Sequence, residues 1–506
     1  MSDANLATIA YGPESILGTA PAALQELRYT KESLKFEKES VSSAEIRSDR
    51  QVSDNQKVFG QPTGGFEFEL SYGFIQPWLA AALQADWLDI SITANATLNS
   101  GTQVVTAAAS AFDEVPIGSI IKIAGATTPA NNGPKRVVAK AGNGSAITLA
   151  AGSITVTDAS AALTFTGKTI RNGVTRKSHT LEKRILNSER EDFYQRYHGM
   201  VVDTLSLNIE SKSIITGTVG MVGTSYELAD VGIDGDATAA VAASSTLTLT
   251  ANPTAGETVT VGTVVYTFDA AAAAPGEVTI GGNASESIDN LVAEIQGLGL
   301  TAENPLASAV AGAGDTMVST SLVAGALGNT IVTTETLANG SWAGATMSGG
   351  VTQSSGYSAA ELGPVMNGTN NVGIIRMDGS AATDRFKAIK IEIANNVRGK
   401  DACGYEGNWD IGLGQFKVSG NLNAYFRNNS LPTKIKNHTT FSLDFYVQDA
   451  LGNRLYFHIP GAKPADGDPN IQGINTDVML DTAYEGILGG AENATGSTLI
   501  IDAIPA

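Results

Sequence analysis

The stretch Gly64-Gly65-Phe66-Glu67-Phe68-Glu69-Leu70-Ser71-Tyr72 decides the fold. In an extended chain Phe66, Phe68, Leu70 and Tyr72 fall on one side, and Glu67, Glu69 and Ser71 on the other. A period of two sustained this long means a strand with one face in a core and the other wet or in an interface. The same alternation returns at Leu205, Leu207 and Ile209 against Ser206, Asn208 and Glu210, and at Ile389, Ile391 and Ile393 against Lys390 and Glu392. Phe441, Leu443, Phe445 and Val447 are spaced to pair, across a turn at residues 449–453, with Leu455, Phe457 and Ile459. Beside these strands the one convincing helix covers residues 74–87, where Trp78, Leu79, Ala82 and Leu83 make an apolar stripe. The expected fold is mainly β, a sandwich or barrel with one flanking α-helix.

Two stretches of different character interrupt this pattern. After Lys212 the next Lys or Arg is Arg376, and no His lies between. So abrupt a change of composition marks a domain inserted into another chain, with linker-like borders near residues 230–245 and 352–368. Inside it, residues 256–268 read as a hairpin, and residues 285–295 as a short helix opened by Ser285 and striped by Ile288, Leu291, Val292 and Ile295. Residues 316–322 and 330–336 resume the strand pattern, giving a β-rich module, sandwich-like (Ig-like) or α+β. The second stretch, about 92–167, holds short strands at 117–123, 135–140, 146–149 and 163–165 with turn signals between, the pattern of a small all-β barrel. The expected organisation is therefore a core in three parts, 1–91, 168–229 and 369–506, with insertions at 92–167 and 230–368.

Composition narrows the function. Lys plus Arg number 32 against 51 Asp plus Glu, a net charge of −19, while charged residues are only 16% of the 506. The chain is acidic through scarcity of bases, and it would repel the phosphates that a duplex-binding protein must neutralise. A single cysteine, Cys403, excludes intramolecular disulfides and Cys-based zinc sites. The first residues lack a basic region followed by an apolar run, so no secretory signal is expected, and no apolar run approaches a membrane span.

Chemistry is sparse. Cys403 lies in a turn-like segment without a catalytic elbow and is expected to be a small buried residue. The four histidines, His179, His198, His438 and His458, show no metal-ligand spacing, and His198 and His458 fall in strand-like runs. Asp234-Gly235-Asp236 and Asp466-Gly467-Asp468 lack the Glu that closes a calcium loop, and read as turns. No carboxylate pair is singled out for acid–base work, so no enzyme, cofactor or metal is expected. Residues 43–54 stand apart as a polar run of alternating charge. They read either as a solvated loop or as an extended arm whose Arg47, Asp49, Arg50 and Asp54 pair with a neighbouring subunit.

Three places together resemble the major tail tube proteins of long-tailed bacteriophages: residues 43–54 leading into 64–72 and the helix around Trp78; residues 179–183, 197–207 and 215–223; and the hairpin around Ala450-Leu451-Gly452-Asn453-Arg454. The resemblance covers a little over half the chain. It implies a β-sandwich with a helix, assembled into rings, hexameric in that family, that stack as a hollow virion tube. It also implies, as partners, other copies of the chain, a tape measure protein in the lumen, terminator and tip proteins at the ends, and phage DNA that passes without specific binding. On this reading the chain is made in the host cytoplasm, without membrane insertion. Residues 41–65 and the termini are expected to reach between rings, and Glu67, Glu69, Glu210 and Glu392 to face either the lumen or a ring interface. The 230–368 module departs from a minimal tube protein and is expected outside, as decoration or as a weak binder of host surface glycans. A bacterial adhesin-type β protein and a carbohydrate-binding accessory protein are the alternatives; the first should carry an export signal and the second exposed aromatic platforms.

Overall fold

The computed structural model describes residues 7–185, 193–229, 232–233, 241–351, 357–471, 473–488 and 496–506. The chain divides into two compact units, Met1–Ile233 with Ala359–Ala506, and Asp234–Ser358. The Asp234-Gly235-Asp236 turn lies outside the described residues, as do parts of both linker-like borders.

The first unit is built around the long strand Phe193–Glu210. Its first half pairs with Ser178–Ile185 on one side and Ser225–Ala229 on the other. Its second half pairs with Thr216–Val222 and Arg385–Ala394. From there the sheet extends through Asn55–Glu69 at one end, and through Lys417–Tyr425 and Met479–Gly486 at the other, every pairing antiparallel. The alternation read from sequence is what the sheet uses: Phe66, Phe68, Leu205, Leu207, Ile209, Ile389, Ile391 and Ile393 are all buried in one core. Burial of each such side chain contributes roughly 1.5–3 kcal/mol, which pins the register, since a one-residue slip would expose the whole set. The expected hairpin forms as well, Phe441–Gln448 pairing with Arg454–Pro464, its turn held by Asp449 Oδ1 accepting from the Leu451 and Asn453 amides, both at 2.9 Å.

The helix Tyr72–Leu83 closes this core. It begins two residues earlier and ends four residues earlier than its apolar stripe suggests. Gln84 stops it by adopting the left-handed conformation (φ 49°), its amide donating to Ala80 O. The Gln84 side chain then donates to Ala81 O at 2.6 Å and accepts from the Lys177 amide at 2.7 Å. Trp78 is fully buried against Tyr11, Phe66 and His179. A second short helix, Ser430–Lys436, was not expected; only Leu431 of it is buried, so it carries too few apolar residues for periodicity to reveal it.

Strands Leu88–Asn99, Val104–Thr106, Ala146–Leu149, Gly133–Lys140, Ile120–Ala124 and Asp158–Arg171 pair in that order, and the last returns to the first. This is a closed antiparallel barrel with its own core around Phe112, Ile121, Ile123, Val137 and Phe165. Closure removes the exposed edges that so short a set of strands would otherwise present. Leu88–Asn99 runs past residue 91 and Asp158–Arg171 past 167, and Lys168–Arg171 pair onward with the C-terminal strand Ile500–Ile504. The barrel is thus a continuation of sandwich strands and shares the first unit with them.

The second unit takes the α+β alternative. Two four-stranded sheets, with Ser244–Leu249 and Thr258–Val261 among their central strands, enclose a core with the helix Ala284–Ile295. The cap is Asn283 and not Ser285: its side chain accepts from the Glu286 amide at 3.0 Å, while Glu286 Oε2 accepts from the Gly282 amide at 2.7 Å. An Asn with a Glu three residues on satisfies the free amides at the helix start better than a Ser already inside the first turn.

Candidate functional site

Two features of the first unit carry functional interest: an arm and a polar sheet face.

The arm is a hairpin. Lys35–Ser42 pairs with the first half of Asn55–Glu69, and residues 43–54 form the exposed tip, bridged at its base by Ser43 N donating to Asp54 O at 2.9 Å. Ile46 is completely exposed and Val52 and Val41 largely so. Arg47 and Asp49 pair with each other, through Nε to Oδ1 at 3.0 Å and Nη2 to Oδ2 at 2.8 Å. That fork holds Asp49 below the usual carboxylate range and Arg47 above its own. Arg50 takes a left-handed conformation (φ 59°) in the turn, and Asp54 accepts from the Asn55 amide at 2.7 Å and from Gln56. Arg47 and Asp49, read from the sequence either as solvated or as pairing with a neighbouring subunit, pair with each other within one chain.

The polar face is legible from register. One rung of side chains runs Lys31, Glu67, Thr218, Ser206, Glu392, Ser419, Glu485 across the sheet. The next runs Glu69, Thr216, Asn208, Lys390, Asn421, Ala483, and a third runs Glu210, Ala388, Asn423, Asp481. All four carboxylates singled out in the sequence therefore share one face of one sheet. Lys31–Glu67 (3.6 Å), Lys390–Glu392 (3.1 Å) and Lys417–Glu485 (3.1 Å) are ion pairs on it. Glu69, Glu210 and Asp481 have no ion partner among the described residues, so the face stays anionic. Its other side chains are small or hydroxyl- and amide-bearing, and none is aromatic on these rungs. At its edge Gly65 sits opposite Gly220, and a Cβ on Gly65 would lie 1.8 Å from Val219 O, so only glycine lets these two strands close. Sequence reasoning placed Lys390 beside Glu392 on this face but missed Asp481, Glu485 and Lys417 as members of it. The alternation of Leu480, Thr482 and Tyr484 with Asp481, Ala483 and Glu485 was the signal that could have found two of them.

The remaining sequence candidates are scattered. Cys403 is exposed and not a buried core residue, because it lies in the segment 401–406, of which every described residue but Ala402 is exposed. His179 is buried, and burial with Lys177 nearby pushes it down to about 4, so it packs as a neutral ring beneath Trp78. No group of three or more His, Cys, Asp or Glu is arranged for a metal among the described residues. Nor, among them, is any helix long and apolar enough to cross a membrane.

The family model of the phage tail tube protein matches residues 4–341 and 325–486. The chain belongs to the phage tail tube family. It is a structural component of the phage tail, and the family implies self-assembly into the tail tube. The matched residues take in the arm, the polar face, the helix at Trp78 and the barrel. A search of the curated proteins finds no match.

Proposed function

We propose that the chain forms stacked rings whose bore is lined by the sheet face carrying Glu67, Glu69, Glu210 and Glu392. The observation behind this reading is the shared register of these four carboxylates on a face whose reverse is packed core. Six strands spaced ~4.8 Å apart make a face about 25–30 Å across, and six such faces in a ring would close a circle about 50 Å across between backbones. Such a bore has room for a duplex or a helical tape measure protein. Its excess of carboxylates and lack of aromatic platforms keep a polyanion moving: no ring on these rungs stacks on bases, and the lysines Lys31, Lys390 and Lys417 are already paired with carboxylates. The arm, including Arg50 and Asp54, reaches the adjoining ring, where its exposed Arg47–Asp49 pair can re-form with a neighbour's charges. Terminator and tip proteins cap the two ends.

The second unit decorates the exterior. It carries eleven carboxylates and no Lys, Arg or His, more than half of the chain's net −19. A module of one sign is poorly suited to the mutual packing of copies around a ring and well suited to keeping finished tubes apart in solution. Weak contact with host surface glycans is a further role for it. The test of the whole reading is a helical reconstruction of polymers grown from the purified chain. The expected map places Asn208, Glu210 and Glu392 on the bore; a map with this face on the outer surface or sealed between subunits overturns it.

A further inference from the structure

The polar face is anionic, yet a cleft elsewhere on the first unit is not. It opens between the barrel strand Gly133–Lys140 and the hairpin Phe441–Gln448 with Arg454–Pro464, and it gathers Lys135, Arg136, Arg376 and Arg454 around one recessed carboxylate, Asp444. In a chain with 51 acids to 32 bases, a cleft lined by four cations and one carboxylate is a local reversal of sign, although Arg136 is also drawn to Asp502, buried behind the lining.

The cations are not consumed by their partners. Arg136 Nη2 lies 3.7 Å and Arg376 Nη1 3.5 Å from opposite oxygens of Asp444, longer than hydrogen bonds, while Arg136 Nη1 donates to Gly118 O at 3.2 Å. Arg454 rests on the Tyr446 ring, 5.1 Å from its centroid, with Nε donating to Gln448 Oε1 at 2.8 Å and Nη1 to the Tyr456 hydroxyl at 3.3 Å; its charge meets no carboxylate among the described residues. Among the described residues Lys135 Nζ reaches Ala130 O alone, at 3.3 Å, and burial lowers its pKa, the cost of recessing a cation. Gly118, Gly152 and Gly379 keep the walls low, so a side chain from outside can reach the guanidinium forks.

We propose that this cleft receives a carboxylate-bearing segment of a second copy of the chain. The proposal rests on the self-assembling tube reading and names one contact within it. Copies that each carry −19 must approach one another, and an outward cleft of opposite sign is where that approach is favoured. Planar guanidinium forks held by Asp444, Gln448 and Tyr446 suit bidentate pairing with carboxylates and so fix orientation as well as attraction.

The test follows polymerisation by sedimentation and negative-stain microscopy for wild type, R376E and R376E/R454E, between about 50 and 500 mM salt. The Arg376 side chain is 40% exposed and its only ion partner among the described residues is Asp444, so R376E alone guards against misfolding of the double variant. We expect the threshold concentration to rise roughly tenfold or more at low salt in both variants, with each monomer still showing a cooperative melting transition above the assay temperature and the gap narrowing as salt screens the contact. Inorganic phosphate at constant ionic strength is expected to raise the wild-type threshold and leave that of R376E unmoved. Variants that polymerise at the wild-type threshold overturn the assignment. So does phosphate that protects the wild type against melting without touching assembly, which would make the cleft a small-anion site. A wild type that stays monomeric sinks the tube reading first, and the cleft with it.

Discussion

Asp502 sits in the C-terminal strand opposite both Thr169 and Tyr456, with no side-chain exposure. Burial pushes it up to about 7, against the opposing pull of Thr169, Arg136, the Ile120 amide and Arg171. An unfolded Asp titrates near ~3.9, so between about 4 and 7 the folded chain holds a proton the unfolded chain has lost, and stability falls as pH rises through that window. Asp502→Asn should remove this dependence. The variant is expected to melt above wild type at pH 8, by a margin on the order of a few kcal/mol, and to match it near pH 4. His179 works in the opposite sense: lowered to about 4, it withdraws stability as pH falls below ~6.5. Comparing the two chains at each pH cancels that contribution. A constant gap across pH would show that Asp502 is ionised throughout.

Elements are where local sequence and tertiary demand meet. The arm is one strand pair long, and its tip touches nothing beyond itself and its own base among the described residues, so its conformation comes from hydrogen bonds within the hairpin. Replacing residues 43–54 by a two-residue Asn-Gly turn should leave the melting temperature of the monomer within a few degrees of wild type, since no buried apolar surface is lost. Polymerisation should be abolished or reduced at least tenfold; tubes of normal length by negative stain would remove the arm from the assembly account. The half of the same strand nearest the helix is different in kind. Phe66 and Phe68 are core, and Gly65 must stay bare for Val219, so change there attacks folding and not assembly.

At the scale of the molecule, the second unit leaves and rejoins the sandwich at neighbouring places. The Ile233 amide donates to the Glu182 carboxylate, at 3.2 and 3.3 Å, and Ala359 O accepts from Gln25 Nε2 at 3.1 Å. Glu182 and Gln25 lie on strands separated only by Ala7–Pro13, roughly 10 Å apart. A Gly/Ser bridge of about six residues spans that distance. Deleting residues 234–358 across such a bridge should give a chain that still folds and polymerises, because the second unit has its own core; an insoluble product would contradict this. The bore makes its own demand. Tubes bearing Glu69→Lys and Glu210→Lys should retain duplex DNA in co-sedimentation at about 50 mM salt and release it as salt rises, whereas wild-type tubes should not retain it. Equal retention would place those residues away from the DNA path.

Much of this protein is written locally. Alternation at Phe66–Leu70, Leu205–Ile209 and Ile389–Ile393 fixed which side of each strand is core, because a strand's side-chain period is a property of the backbone itself. The charge gap from Lys212 to Arg376 likewise exposed the separate unit, since composition needs no fold to be read. What only tertiary structure decided is which strands stand side by side. Register across strands up to about 400 residues apart in the chain brought Glu67, Glu210, Glu392 and Glu485 to one face, and Arg136, Arg376 and Arg454 to one cleft. Pairing partners are chosen by the packing of the whole core, and no window of sequence contains that information.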